Sequence, residues 1–423
     1  MENLMDLGRI LPLWSVSFFV IMLLMIAILP LTHGKFWESN KNKAIVSAVV
    51  SIPVILLFVT SGNLTPILHE MKEYFSFMVL LGSLFVVSGG IFLSGDIEAN
   101  PKNNTFILLT GGILANIFGT TGAAMLLIRP LLRTNSERQF TSHIPIFFIF
   151  IVCNIGGCLT PIGDPPLFMG YLRGVNFFWT LKLFPEWLFM LTAILAVFFA
   201  FDSYYWKKET PAAKLADKTH IEPIKIHGTI NLIFISIILL SVILIHTTPY
   251  REIIMIFAAV LSVITTKKEV REKNEFNYAP IIEVAVLFAG IFITMVPALL
   301  ILETRGGEIG VQKPWQFFWA TGGLSAFLDN TPTYLTFLSL GQGLAISMNL
   351  PKDIIGIPVE ILKAISLGAV FMGATTYIGN GPNFMVKAIC ENQKVKMPSF
   401  FGYMLWSVCI LIPLFILVTL IFF

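Results

Sequence analysis

Apolar residues run along nearly the whole chain in blocks of roughly 18 to 25, each long enough as a helix to cross a hydrocarbon core of about 30 Å. Polar residues collect between the blocks. The blocks do not alternate apolar with polar positions, which excludes a transmembrane β-barrel and predicts spanning helices. Predicted spans cover 11–31, 44–60, 76–94, 142–175, 178–201, 229–246, 251–266, 279–302, 354–388 and 401–423. Of these, 142–175 and 354–388 are broken near their centres by Pro and Gly. Two more apolar segments, 104–130 and 314–340, hold Gly, Asn, Thr or Pro at mid-length and are expected to be re-entrant hairpins. The fold class is therefore an all-α polytopic membrane protein with about ten spans and two hairpins.

Composition agrees. The 423 residues are 56% hydrophobic and 13% charged, with a mean hydropathy of +0.81; a soluble protein would carry about twice that charge. A net charge of +3 without a basic block leaves no nucleic-acid patch. Cys153, Cys158, Cys390 and Cys409 lie in or beside apolar segments and form neither a disulfide framework nor a CxxC site. The first span follows an acidic start (Glu2, Asp6) and ends at Pro30 without a cleavage pattern, so it is read as retained rather than as a signal peptide.

Charge sidedness sets an orientation. With the N-terminus outside and both hairpins returning to the side they enter from, 19 Lys and Arg fall in cytoplasmic segments and eight outside, and Lys363 lies within a span. This expectation suits a bacterial-type inner membrane. The halves also echo one another. "GGILANIFGTTGAAMLL" (111–127) aligns with "GGLSAFLDNTPTYLTFL" (322–338), and "TPIGDPPLFM" (160–169) with "TYIGNGPNFM" (376–385). In that topology 1–201 and 229–423 are inverted repeats, joined by a charged cytoplasmic linker, 202–228, that includes "KKETPAAKLADK". Inverted repeats with matching broken helices point to a secondary transporter with its site near the midplane.

The breaks carry the candidate chemistry. Pro161, Pro165 and Pro166, with Gly156, Gly157 and Gly163, should unwind the first broken span. Freed carbonyls in lipid need protein, water or an ion to meet them, and a small hard cation prefers oxygen ligands. Each break is expected to face the hairpin of its own half. The first site would join Asn116, Thr120 and Thr121 to Asn154, Thr160 and Asp164. The second would join Asp329, Asn330, Thr331 and Thr333 to Thr375, Thr376, Asn380 and Asn383. One carboxylate per site, Asp164 and Asp329, suits a monovalent cation such as Na⁺. Competition between Na⁺ and H⁺ for these acids would turn alternating access into exchange. The alternative is a packing kink with the acids satisfied by neighbouring donors.

Other polar residues carry simpler readings. Lys363 follows Glu360 by three positions and can pair with it; snorkelling outward is the plainer account, whereas in a cavity it would hold an anion or stand in for Na⁺. Glu283 is read as an interfacial acid with a relay role as the alternative. His69 and His143 are read as surface residues near span ends. Trp14, Trp179, Trp187 and Trp406 fit interfacial belts.

The motifs "NIGGCLTPIGDPPLFMGYLRG" (154–174), "SAFLDNTPTYL" (325–335) and "GATTYIGNGPNFMVKAI" (373–389) resemble the citrate-transporter-like group of the ion transporter superfamily, and most closely its NhaD-type sodium/proton antiporters. The resemblance covers nearly the whole chain. It implies ligand roles at hairpin tips and unwound helices for Asn154, Thr160, Asp164, Asp329, Asn330, Thr331 and Asn380, and it implies a homodimer. NhaD-type hairpins carry acids at the first tip, where this chain has "FGTTGA" (118–123). No HExxH, GxSxG or nucleotide-binding loop is present, so no enzymatic activity and no cofactor is expected. The expected function is Na⁺/H⁺ antiport; the alternative is Na⁺-coupled transport of a carboxylate or other oxyanion. The expected partners are a lipid bilayer and small ions.

Overall fold

The computed structural model describes residues 7–219, 221–245 and 247–423; the acidic start at Glu2 and Asp6 lies outside the described residues. The chain is a polytopic helical membrane protein. Its main helices, in order, are α1 (Ser17–Thr32), α2 (Asn40–Thr60), α3 (Thr65–Ser88), α4 (Pro101–Thr134), α5 (His143–Ile151), α6 (Pro165–Leu172) and α7 (Phe184–Lys208). After a linker come α8 (Ile230–Leu244), α9 (Tyr250–Thr265), α10 (Ala279–Thr294), α11 (Val296–Arg305), α12 (Pro314–Ser325), α13 (Asn330–Ser347), α14 (Val359–Met372), α15 (Gly381–Asn392) and α16 (Phe400–Phe422). Six helices among the described residues are long and apolar enough to cross a membrane.

One of those six, α4, does not run straight. Gly111 and Leu127 would stand about 24 Å apart along a straight helix at 1.5 Å per residue. Instead a Leu127 methyl lies 3.0 Å from where a Cβ on Gly111 would be. At the ends, the Asn104 and Asn135 amides exchange two hydrogen bonds of 2.9 Å. The helix doubles back at Gly119, whose φ of 73° and ψ of 157° demand glycine. The second hairpin is made by α12 and α13, with the rings of Phe317 and Phe337 6.4 Å apart.

Both interrupted spans are broken where the prolines predict. Between α5 and α6 the chain passes through one short 3₁₀ turn, Ile155–Leu159, and an extended Thr160. Between α14 and α15 the same sequence recurs as Gly373–Thr375 and an extended Thr376.

Several expectations need correction. The third span's helix starts at Thr65, not near 76, because Glu70 and Glu73 are buried against Arg173 instead of standing in a loop. The predicted span 279–302 is two helices bent by 43°, with Pro297 in the first turn of the second. The fold is not purely α: residues 92–96 leave the third span to pair, as β1 (Phe92–Asp96), with β2 (Glu222–His227) of the linker. This antiparallel ribbon pairs Phe92 with His227 and Ser94 with Lys225, with an irregularity before Asp96. The linker is thus tied down, and Asp217 accepts two hydrogen bonds from the Ala99 amide.

The helices pack in two groups, and each group draws on both ends of the chain. One holds α1–α3 and α8–α10; the other holds α4–α7 and α11–α16, with α11 packed chiefly on α13. Several ion pairs join charged segments that were predicted to lie on the same side. Arg129–Glu275, Lys43–Glu283 and Arg138–Asp202 lie among segments predicted cytoplasmic, and Arg173–Glu70 and Arg251–Glu252 among those predicted outside.

Candidate functional site

The two breaks meet in the interior of the second group. Asp164 occupies the position before α6 where an acid ordinarily accepts a hydrogen bond from the helix's first-turn amides. Pro165 and Pro166 leave the first two helical positions without N–H groups, and the Asp164 side chain makes no cap bond. Its carboxylate turns inward instead. Thr120 Oγ1 donates to Oδ1 at 3.0 Å, Asn380 Nδ2 to Oδ1 at 3.3 Å, and Asn330 Nδ2 to Oδ2 at 3.0 Å. Asp164 has no solvent exposure. Among the described residues it forms no ion pair, so only neutral donors meet this carboxylate.

These donors come from three other elements. Thr120 follows the Gly119 turn, and the Thr120 amide donates 2.8 Å to Gly163 O, which pins the hairpin tip to the first break. Asn330 opens α13 and accepts from Ser325 Oγ at 2.7 Å, which fixes its amide orientation. Asn380 precedes α15, also without a side-chain cap bond. The acid and its three donors thus all sit at the starts of helix segments, and it is their side chains that meet.

A second layer holds the first. Asn380 Nδ2 also donates to Cys153 O (2.9 Å) and to Asn154 Oδ1 (3.2 Å). Asn154 Nδ2 donates to Asn383 Oδ1 at 2.8 Å and to Ile149 O. Asn383 in turn donates to Gly373 O and Thr376 O, two carbonyls freed in the second break. Freed carbonyls of both breaks are thus met by asparagine side chains.

The expected pair of separate sites is corrected here. Asn330 and Asn380, assigned to the second site, bind the acid of the first, and Asn154 bridges to Asn380 and Asn383. The physical reason is the crossing of the two breaks: their capping positions face each other rather than only their own hairpins. Of the own-half contacts, Thr120 to Asp164 reaches the acid, and the others serve as scaffold. Asn116 Nδ2 donates to Gly156 O (2.7 Å), its Oδ1 accepts from Leu159 N (2.8 Å), and its carbonyl accepts from Thr160 Oγ1 (2.6 Å). Thr160 also accepts from Gly163 N. Thr376 repeats this in the other half, donating to Ala326 O and accepting from Gly379 N.

Asp329 is placed differently from Asp164. It caps α13, its Oδ1 accepting from Thr331 N at 3.0 Å, and it is half-buried. Thr333 Oγ1 donates to Asp329 O at 3.0 Å. Thr331 is buried beside this cap. Thr121 is half-buried and stands outside the set of Asp164 donors. Thr375 is buried, with its hydroxyl unpartnered among the described residues.

Lys363 does not pair with Glu360, which is exposed. Its Nζ lies 3.2 Å from Glu186 Oε1 instead, across the halves. Glu186 was missed by sequence reasoning, although an acid opening the apolar run "FPEWLFML" is a signal for it. Next to it, Trp187 is buried, not interfacial, and its indole N–H donates to Gly156 O at 3.2 Å. Trp179 is buried as well. Glu283 pairs with the buried Lys43 at 2.7 Å. His69 is exposed and pairs with Glu73. His143 is buried rather than at the surface, its Nε2 2.9 Å from Asp202 Oδ1, which Arg138 also contacts at 2.7 Å.

The sequence as a whole matches one family model, described as "Putative citrate transport", over residues 8–423. The chain belongs to this citrate-transport family. Membership makes it a secondary transporter rather than an enzyme, in keeping with its apolar helices. Among curated proteins none matches it. The core contacts of the site hold one acid, Asp164, and no base.

Proposed function

We propose that the chain is a Na⁺/H⁺ antiporter in which Asp164 is the exchanged-ion site. One observation carries this reading: a fully buried carboxylate held by Thr120, Asn330 and Asn380 alone. An ionised acid in such a place is strongly disfavoured unless a cation accompanies it, and a proton or Na⁺ each supplies that charge. Binding one displaces the other. Alternating access would come from movement of the second helix group against the first, with 1–201 and 229–423 acting as inverted repeats, the N-terminus outside and the linker 202–228 inside. Asp329, capping its helix nearby, is proposed as a second and weaker cation ligand.

A second reading has its own support. The family description and the helix starts gathered at Asp164 favour a cation-coupled carrier of a carboxylate, with Na⁺ or H⁺ at Asp164 and the anion beside it. Reconstituted protein tested side by side for pH change and for uptake of labelled citrate or succinate separates them. Na⁺-driven alkalinisation or acidification without anion uptake supports exchange; anion accumulation that requires Na⁺ supports the carrier; neither activity overturns both. For the orientation, a cysteine at Lys214→Cys is expected to resist an impermeant thiol reagent in intact cells.

A further inference from the structure

The helix that starts at Asp164 is only two turns long, and its other end is charged. Arg173 follows α6 directly. Its Nη2 donates 2.6 Å to Glu70 Oε1 and its Nε 3.1 Å to Glu73 Oε2. Both acids lie on α3, which belongs to the other helix group. Glu70 is 6% exposed and Glu73 8%, and His69 contacts Glu73 from the solvent side at 3.2 Å. The rest of α6 also leans on that group: Tyr171 O–H donates to Val242 O at 2.6 Å, and the Arg251 guanidinium stands 5.8 Å from the Phe168 ring. Between segments predicted cytoplasmic, the Arg129–Glu275 pair, which also links the groups, has an exposed acid. A buried, doubly bonded ion cluster resists opening far more than an exposed pair.

A helix of eight residues is about 12 Å long and moves as one piece. Displacing Asp164 from its donors therefore displaces Arg173 from Glu70 and Glu73. We infer that the Arg173–Glu70–Glu73 cluster is a latch between the two helix groups, which closes the Asp164 site from the predicted outer side and parts whenever that site opens. The inference rests on the alternating-access reading above, but its test does not depend on what is transported.

The test reads access to Cys158, which is fully buried in the first break between Asn154 and Asp164. Purified wild type, Arg173→Glu and the charge swap Arg173→Glu/Glu73→Arg are treated with N-ethylmaleimide, and modification of Cys158 is followed by mass spectrometry. Arg173→Glu sets three acids against one another and is expected to speed modification by about tenfold or more, the equivalent of 1.4 kcal/mol. The swap restores opposite charges and is expected to return the rate toward wild type, which a merely misfolded variant would not do. Equal rates in wild type and Arg173→Glu, or a swap as fast as the single variant, would overturn the latch. Absence of transport by wild type would count against the proposed function alone and leave this contrast standing.

Discussion

The two helix breaks follow almost the same path: a 3₁₀ turn, an extended threonine, a capping residue, then a proline-opened helix. They differ where it matters for charge. The first break ends in Asp164, the second in Asn380, and the amide of the second donates to the acid of the first. Two breaks of equal charge would set two acids face to face in the interior or leave two amides with nothing to neutralise. With one of each, the crossing brings a single acid, Asp164, to the point where the breaks meet. The two threonines show the complementary case. Thr160 and Thr376 are chemically the same, bind their own hairpins in the same way, and are spent on scaffold.

This contrast can be broken at the acid. Asp164→Asn is expected to reduce ion-coupled transport in proteoliposomes to background, because three donors then face an amide and no charge recruits a cation. Asp329→Asn should have a far smaller effect, since asparagine caps a helix about as well as aspartate and Asp329 is half-buried. Equal loss in both would restore the picture of two independent sites.

Moving the charge sharpens the comparison. The exchange Asp164→Asn/Asn380→Asp transfers the acid to the other break while keeping both capping positions filled. Partial recovery of transport over Asp164→Asn is expected, because Asn154 and the hairpin donors surround both positions. No recovery would mean that the breaks are not interchangeable.

Smaller effects are expected one shell out. Asn330→Ala removes the one donor to Asp164 Oδ2 among the described residues; a buried acceptor left unpaired costs about 1–3 kcal/mol, which should show as weakened Na⁺ dependence of transport. Thr160→Val removes two scaffold hydrogen bonds and Thr376→Val three, at about 1 kcal/mol of stability for each bond. A lowered melting temperature with unchanged apparent Na⁺ affinity is the expected signature for both.

Both breaks and both hairpins were legible in the sequence, because Pro and Gly inside apolar runs have a local and specific consequence. What stayed hidden is long-range pairing. The ribbon of 92–96 with 222–227 spans distant segments and has no strand-like pattern on its own. Glu70 and Glu73 lie ahead of the predicted start of the third span at 76, and the partner that buries them, Arg173, lies 100 or more residues further on. His143 read as a surface residue for want of Asp202, and Lys363 was matched with Glu360, its neighbour on the helix, where the fold supplies Glu186. The crossing of the breaks, which merges the predicted sites, depends on how two halves dock, and no local pattern encodes that.

The most direct measurement is proton release on adding Na⁺ to purified, weakly buffered protein. Wild type is expected to release a proton for each chain as Na⁺ saturates, and Asp164→Asn to release none. Undiminished release from the Asp164→Asn protein would contradict the assignment of the exchanged-ion site to this residue.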